Sequence, residues 1–240
     1  METNPYITPN RVRAALRALD LRPTRGMGQN FLVDSGALDA IVGAAELTRD
    51  DTVLEVGPGL GVLTWELLQR AGLVVAVELD KRLAARLAQE FAGEPRLRIV
   101  QSDILRLPPE AVLGDARDGE DVQPSALSPQ PYKVVANLPY AITSPALRHF
   151  LEAEHKPSVM VVLVQWEVAR RIVAAPGDLS VLAHSVQLYA EAEIVERVPA
   201  ASFFPAPAVD SAVLRLRLRE RPAVDVGDID ALFRVIKAGF

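Results

Sequence analysis

Short apolar runs that recur between helix-patterned stretches constrain this chain more than any other feature. Val74-Val75-Ala76-Val77 and Val159 to Val164 contain no polar residue. A sheet with one wet face alternates apolar with polar side chains, so uninterrupted runs of this length fit strands covered on both faces. From residue 53 onward, strands and helices follow one another: strand Val53 to Val56, helix Leu63 to Ala71, strand Val74 to Leu79, helix Lys81 to Phe91, strand Leu97 to Gln101. The pattern resumes with strand Tyr132 to Ala136, helix Pro145 to Leu151, strand Val159 to Val164 and helix Glu167 to Ala174. Such spacing predicts an α/β fold, a doubly wound and mainly parallel sheet. The apolar stretch Val186 to Val198 and the alternating run Ala212 to Arg219 are expected to pair as its antiparallel edge.

Flanking segments add detail. Thr8 is placed to cap a helix from Pro9 to Leu19, with Pro at the favoured first position. A turn at Gly26-Met27-Gly28 precedes a helix from Asp34 to Ala45, and Asp228 to Lys237 reads as a last helix. Residues 114–131, rich in Gly, Pro, Ser and acid, read as a surface excursion. A large unit is expected over 1–220 and the start of a small helical domain over 221–240.

Composition removes whole classes of chemistry. Cysteine is absent, which excludes disulfides, thiolate metal sites and a cysteine nucleophile. His149, His155 and His184 show no ligand spacing, so no metal is expected. The first residues lack the apolar core of a signal peptide and no apolar run is long enough to span a bilayer; a cytoplasmic location and no membrane partner are expected. Net charge is −5, slightly acidic for a nucleic-acid protein, yet Arg11, Arg13, Arg17, Arg22 and Arg25 crowd the N-terminal stretch. Leu214-Arg215-Leu216-Arg217-Leu218-Arg219 fits a strand with one buried and one basic face, open to solvent or to phosphates.

Candidate chemistry lies where strands end. Glu55-Val56-Gly57-Pro58-Gly59-Leu60-Gly61 is a strand-to-helix switch, where glycines let backbone approach a ligand and the helix start offers free amides. The next strand ends in Glu78-Leu79-Asp80: Glu78 suits the two hydroxyls of a ribose, and Asp80 suits a helix cap. A third ends in Asp103-Ile104, an acid able to accept from an adenine amine beside an amide that donates to the ring, or else an ordinary turn cap. Asn137-Leu138-Pro139-Tyr140 follows another strand. There Asn137 and the Leu138 carbonyl are two acceptors, Pro139 turns the chain, and Tyr140 offers a flat face, so together they can hold an exocyclic amine on a heterocycle. An ordinary Asn/Pro turn is the plainer reading.

Together these residues resemble the KsgA-type rRNA adenine dimethyltransferases and the related Erm enzymes. Gly28-Gln29-Asn30-Phe31-Leu32 is similar to the family's GQNFL signature, and LEVGPGLGVLT, ELD and SDIL to its three cofactor motifs. Asn137 to Tyr140 resembles its NLPY motif, Gln165 to Arg171 its QxEVAxR helix and Phe203 to Val213 its FFPxPxVDSAV loop. The resemblance implies a class I, Rossmann-like S-adenosylmethionine-dependent methyltransferase that modifies N6 of two adjacent adenines near the 3′ end of small-subunit rRNA. A pre-30S particle as partner and a monomeric state are expected. It implies cofactor contacts from Gln29, Asn30, Leu32, Glu55, Gly57, Gly59, Gly61, Glu78, Leu79, Asp103, Ile104 and Asn137. The target adenine would lie between Tyr140 and Phe204, with core packing an equal reading for Phe204. An Erm-type enzyme of large-subunit RNA, or a non-catalytic ribosome assembly or transcription factor on the same fold, are the rivals. Two departures stand out: only Asp178 separates Pro176-Gly177 from Leu179, where relatives carry a longer loop, and the sequence stops at Phe240, where relatives continue into a basic helical region.

Overall fold

The structure, a computed structural model, describes residues 4–21, 30–114 and 131–240. The turn expected at Gly26-Met27-Gly28, the candidate residue Gln29 and most of the 114–131 excursion lie outside the described residues. In chain order the elements are α1 (Pro9–Ala18), β1 (Phe31–Leu32), α2 (Ser35–Ala45), β2 (Thr52–Val56), α3 (Val62–Arg70), β3 (Leu73–Glu78), α4 (Lys81–Glu90), β4 (Leu97–Gln101) and α5 (Pro109–Gly114). Then follow β5 (Tyr132–Asn137), α6 (Thr143–Leu151), β6 (Val159–Gln165), α7 (Trp166–Ile172), α8 (Val181–Gln187), β7 (Ala190–Val198), β8 (Phe203–Phe204), β9 (Ser211–Leu218) and α9 (Ile229–Ala238).

Seven strands form one sheet in the order β4-β3-β2-β5-β6-β9-β7. The first five are parallel; β9 runs antiparallel to β6, and β7 antiparallel to β9. The expected doubly wound sheet with an antiparallel edge is therefore present. Alternate residues of each strand feed opposite faces. Leu54, Val75, Val134, Val162 and Leu214 enter one core layer, and Val53, Val74, Val135, Val161 and Val213 the other. The winding changes direction between β2 and β5, which places the glycine turn after β2 beside the motif after β5. In open α/β sheets that crevice is where ligands bind.

Local chemistry sets the element ends. Thr8 accepts from the Arg11 amide and caps α1, Asp34 from Ala37 to cap α2, Asp80 from Arg82 to cap α4, and Asp228 from Ala231 to cap α9. Two expectations change. Val186 and Gln187 belong to α8, which Ser180 caps through the Ala183 amide, so the edge strand begins only at Ala190. The apolar run that suggested one long strand is a helix face followed by a strand. The basic face of β9 is also neutralised within the chain: Arg215 pairs with Glu193 and, at 2.9 Å, with Glu46; Arg217 reaches Glu46 at 3.0 Å and Arg219 reaches Glu191 at 2.9 Å.

Gly61 starts α3 at φ +83°, and a Cβ there would stand 2.7 Å from the Phe91 ring and 2.9 Å from Leu87 of the α4 region. Both the left-handed backbone and the close approach demand glycine. Gly61→Ala should lower unfolding free energy by about 2 to 4 kcal/mol, read as a shift in the denaturation midpoint.

Candidate functional site

The carboxyl ends of β2, β3, β4 and β5 open into one cleft of about 470 Å³. It brings together Asn30, Leu32, Glu55, Gly57, Gly59, Glu78, Leu79, Asp103, Ile104, Asn137, Leu138, Pro139 and Tyr140 from the residues singled out by sequence. Gly61 is not among its walls; its contacts are the packing contacts described above. Phe204 also stands apart from the lining. It is half-buried on β8, which pairs with β1 through Phe31, and the Arg13 guanidinium lies 4.8 Å above its ring.

Glu78 ends β3 and is buried, with a carboxylate oriented by two backbone amides. The Gly59 amide donates to Oε2 at 3.0 Å and the Asp80 amide to Oε1 at 2.9 Å. Gly59 sits at φ +58° and so turns its N–H inward. Each carboxylate oxygen retains a lone pair, which leaves a bidentate acceptor facing the cleft. Burial raises the Glu78 pKa, opposed by the two amides.

Glu55 is the second buried acid. It is 1% exposed, accepts a 2.7 Å hydrogen bond from the Thr64 hydroxyl on Oε2, and its Oε1 has no partner. Burial pushes its carboxyl up to about 8, and the neighbouring Glu78 adds to the rise. Asp103 accepts from the Leu105 amide at 3.1 Å and faces Arg106 at 3.4 Å. It is a turn cap, and it lines the cleft as well.

On the opposite wall, the Asn137 Nδ2 donates to the Asn30 carbonyl at 3.1 Å. That bond fixes the side-chain amide and leaves Oδ1 as the available acceptor. The Tyr140 hydroxyl shares a 2.7 Å hydrogen bond with Ser211 Oγ, and Ser211 is fully buried at the start of β9. The ring is thus held at its far end while its face borders the cleft. Burial raises the Tyr140 pKa, so the hydroxyl stays protonated. Asp210, which precedes Ser211 in the chain, accepts from the Ala200 amide at 2.9 Å and pairs with Arg197 at 2.7 Å, bracing the loop that carries Phe203 and Phe204.

Sequence reasoning missed three supports: Thr64 behind Glu55, Ser211 behind Tyr140, and the Asn30 carbonyl behind Asn137. Ser211 lies in a recognisable motif, but nothing in the motif says which side chain it meets. Among the described residues no cluster of His, Asp and Glu could hold a metal, and no helix is long and apolar enough to cross a membrane.

Known proteins give this geometry a context. The family model for ribosomal RNA adenine dimethylases matches residues 22–240. The chain is 48% identical over 221 residues to ribosomal RNA small subunit methyltransferase A of Dehalococcoides mccartyi, covering 92% of this chain and 71% of that protein. Against the protein of the same name from Moorella thermoacetica it is 45% identical over 236 residues, with 97% and 80% covered. Among solved structures, the 23S rRNA methyltransferase ErmE superposes with a TM-score of 0.71 at 34% identity, covering 87% of this chain and 78% of that one. A dimethyladenosine transferase from Plasmodium falciparum gives 0.70 at 26% identity, with 86% and 69% covered.

Proposed function

Since this chain belongs to the ribosomal RNA adenine dimethylase family, we propose that it uses S-adenosylmethionine to dimethylate N6 of two adjacent adenines near the 3′ end of small-subunit rRNA. The observation that carries this reading is the fixed amide of Asn137: its Nδ2 is held by the Asn30 carbonyl, so Oδ1 is presented beside the Leu138 carbonyl and the Tyr140 ring. Identities of 45 and 48% to proteins named ribosomal RNA small subunit methyltransferase A support the small-subunit target.

The cleft suits the cofactor in size and chemistry. A volume of about 470 Å³ lies in the range of small-molecule sites, and Glu78 offers a braced carboxylate for a ribose diol. Asp103 and the Ile104 amide would read the adenine ring, with exposed Leu79 covering it. Bound cofactor supplies a methyl group on a sulfonium, an electrophile that needs no further activation. The protein's work is then on the nucleophile. Asn137 Oδ1 and the Leu138 carbonyl would accept the two N6 hydrogens, leaving the nitrogen lone pair free for attack, and Tyr140 would hold the base plane. The adenine must leave its stack to arrive there, and Phe204 is the candidate second wall for it. Each transfer would be completed by release of one N6 proton to solvent, so after the first only one hydrogen remains and one acceptor would change partner before the second.

Methyl transfer to small-subunit particles, followed by mass spectrometry of the rRNA, tests the proposal. Two dimethylated adenines in small-subunit rRNA are expected; methylation of large-subunit RNA alone would assign the Erm-type activity instead, and no transfer a non-catalytic assembly role. A separate measurement addresses the cofactor. Two hydrogen bonds to an ionised group contribute roughly 3 kcal/mol or more, so Glu78→Gln should weaken cofactor affinity by about 10²-fold in calorimetry while the fold is retained. Unchanged affinity would remove Glu78 from the ribose.

A further inference from the structure

An RNA substrate needs unneutralised cations near the cleft, and β9 does not provide them, because Arg215, Arg217 and Arg219 are paired with Glu46, Glu191 and Glu193. α1 does. Arg11, Arg13 and Arg17 are exposed, the helix carries no acid in its first turn, and none of the three forms an ion pair among the described residues. The helix buries Val12, Ala15 and Leu16 against Phe31, Leu60 and Leu83. Those last three residues also line the cleft, so α1 packs against the outer side of that wall.

The three arginines are not equivalent. Arg13 and Arg17, four residues apart, share one helix face. Arg11 lies across the helix, in a separate groove with Tyr6, Arg86 and Glu90. Arg13 alone stands over Phe204, its guanidinium carbon 4.8 Å from the ring centroid. A planar guanidinium occupies an aromatic face much as a nucleobase does. At an exposed site that contact is weaker than base stacking, and the same guanidinium binds phosphate well.

We infer that Arg13 and Arg17 form a phosphate-binding ridge beside the cleft, and that Arg13 covers the Phe204 ring until an RNA base takes its place. This rests on the reading of Phe204 as the second wall for the target base. When the base is extruded, its flanking phosphates arrive on the α1 side and give Arg13 a stronger partner than the ring. Release of Phe204 and capture of phosphate are then one event. The free protein keeps its aromatic wall covered, and the covering group becomes part of the grip on RNA.

Binding of an RNA hairpin with two adjacent loop adenines, titrated against salt, tests the ridge. Each phosphate contact contributes about 0.7 to the slope of log affinity against log salt for a single strand. Arg13→Gln and Arg17→Gln should each reduce the slope by about that amount, with Arg11→Gln leaving it unchanged and Arg13→Lys, which keeps the charge, preserving it. Equal losses for all three Gln variants, or none, would overturn the ridge. A fluorine label at the para position of Phe204 reads the cover directly. Its resonance should shift in wild type when the hairpin binds, and in the free protein with Arg13→Gln. A free Arg13→Gln resonance identical to wild type would show that the ring is not covered in solution. Neither measurement involves methyl transfer, so a chain that transfers no methyl group yet shows these responses would contradict the proposed activity and leave this inference standing.

Discussion

Asn137→Ala should reduce methyl transfer by about 10² to 10³-fold while cofactor affinity stays within a few-fold of wild type. The magnitude follows from removing one preorganised hydrogen-bonding group that the proposed function aims at the reacting nitrogen. Before attack the N6 lone pair is delocalised into the purine ring, and accepting both hydrogens favours the geometry in which that pair is available. Alanine deletes one acceptor and leaves the Leu138 carbonyl alone. It also deletes the Nδ2 donor that holds the Asn30 carbonyl at 3.1 Å, so part of the loss would come from a looser β1. Asn137→Asp helps to separate the two effects, because it keeps an acceptor toward the base while it loses the donor to Asn30 and adds a negative charge. The aspartate should recover a substantial part of kcat, whereas a purely structural role would leave both variants equally impaired. Single-turnover rates are the appropriate measurement, since they isolate the chemical step from RNA release. Near wild-type turnover by Asn137→Ala would remove the residue from the reaction.

The strands and the broad position of the site were legible because both depend on short-range pattern. Apolar runs such as Val74 to Val77 report burial on two faces, and a parallel sheet is what buries a strand that way. Adjacency of the Gly57-Pro58-Gly59 turn and Asn137 follows from the winding reversal between β2 and β5. Side-chain supports were not legible, because they are single contacts between distant positions. Tyr140 meets Ser211 across 71 residues and Asn137 meets Asn30 across 107; no periodicity encodes either. Alternation in β9 identified its arginine face, but not the acids that meet it: Glu193 on the neighbouring β7 for Arg215, and Glu46, 169 and 171 residues away in sequence, for Arg215 and Arg217. In α8, a helix of seven residues merges with the following apolar strand, and only the Ser180 cap marks its start. Phe204 illustrates the same limit. Its motif announces an aromatic residue, and only the fold places it on β8 beneath Arg13.

Replacing Glu55 by Gln should remove the part of the pH dependence of stability that this carboxyl contributes between about 4.5 and about 8, leaving the smaller part due to Glu78, whose pKa burial also raises. In that window the folded chain keeps the Glu55 carboxyl protonated while the unfolded chain has released its proton. The native state then binds more protons than the unfolded state, so unfolding free energy falls as pH rises. At about 1.4 kcal/mol for each pH unit separating the folded and unfolded values, the upper limit of the loss is about 5 kcal/mol. The physical cause is an unequal provision of donors to two neighbouring acids. Glu78 has an amide on each oxygen, which supports its charge, whereas Glu55 has the Thr64 hydroxyl on one oxygen and nothing on the other. A buried carboxylate with one donor is poorly stabilised, and a neutral carboxyl is the favoured form. Chemical denaturation at pH 5 and pH 9 should show the wild type losing several kcal/mol more than Glu55→Gln across the same interval, with the variant the more stable of the two at pH 9. Parallel losses in both proteins would mean that Glu55 ionises freely in the folded state. Cofactor affinity of Glu55→Gln then tests the binding role independently: a variant more stable at pH 9 yet weaker toward S-adenosylmethionine would show that the acid is retained for the ligand and not for the fold.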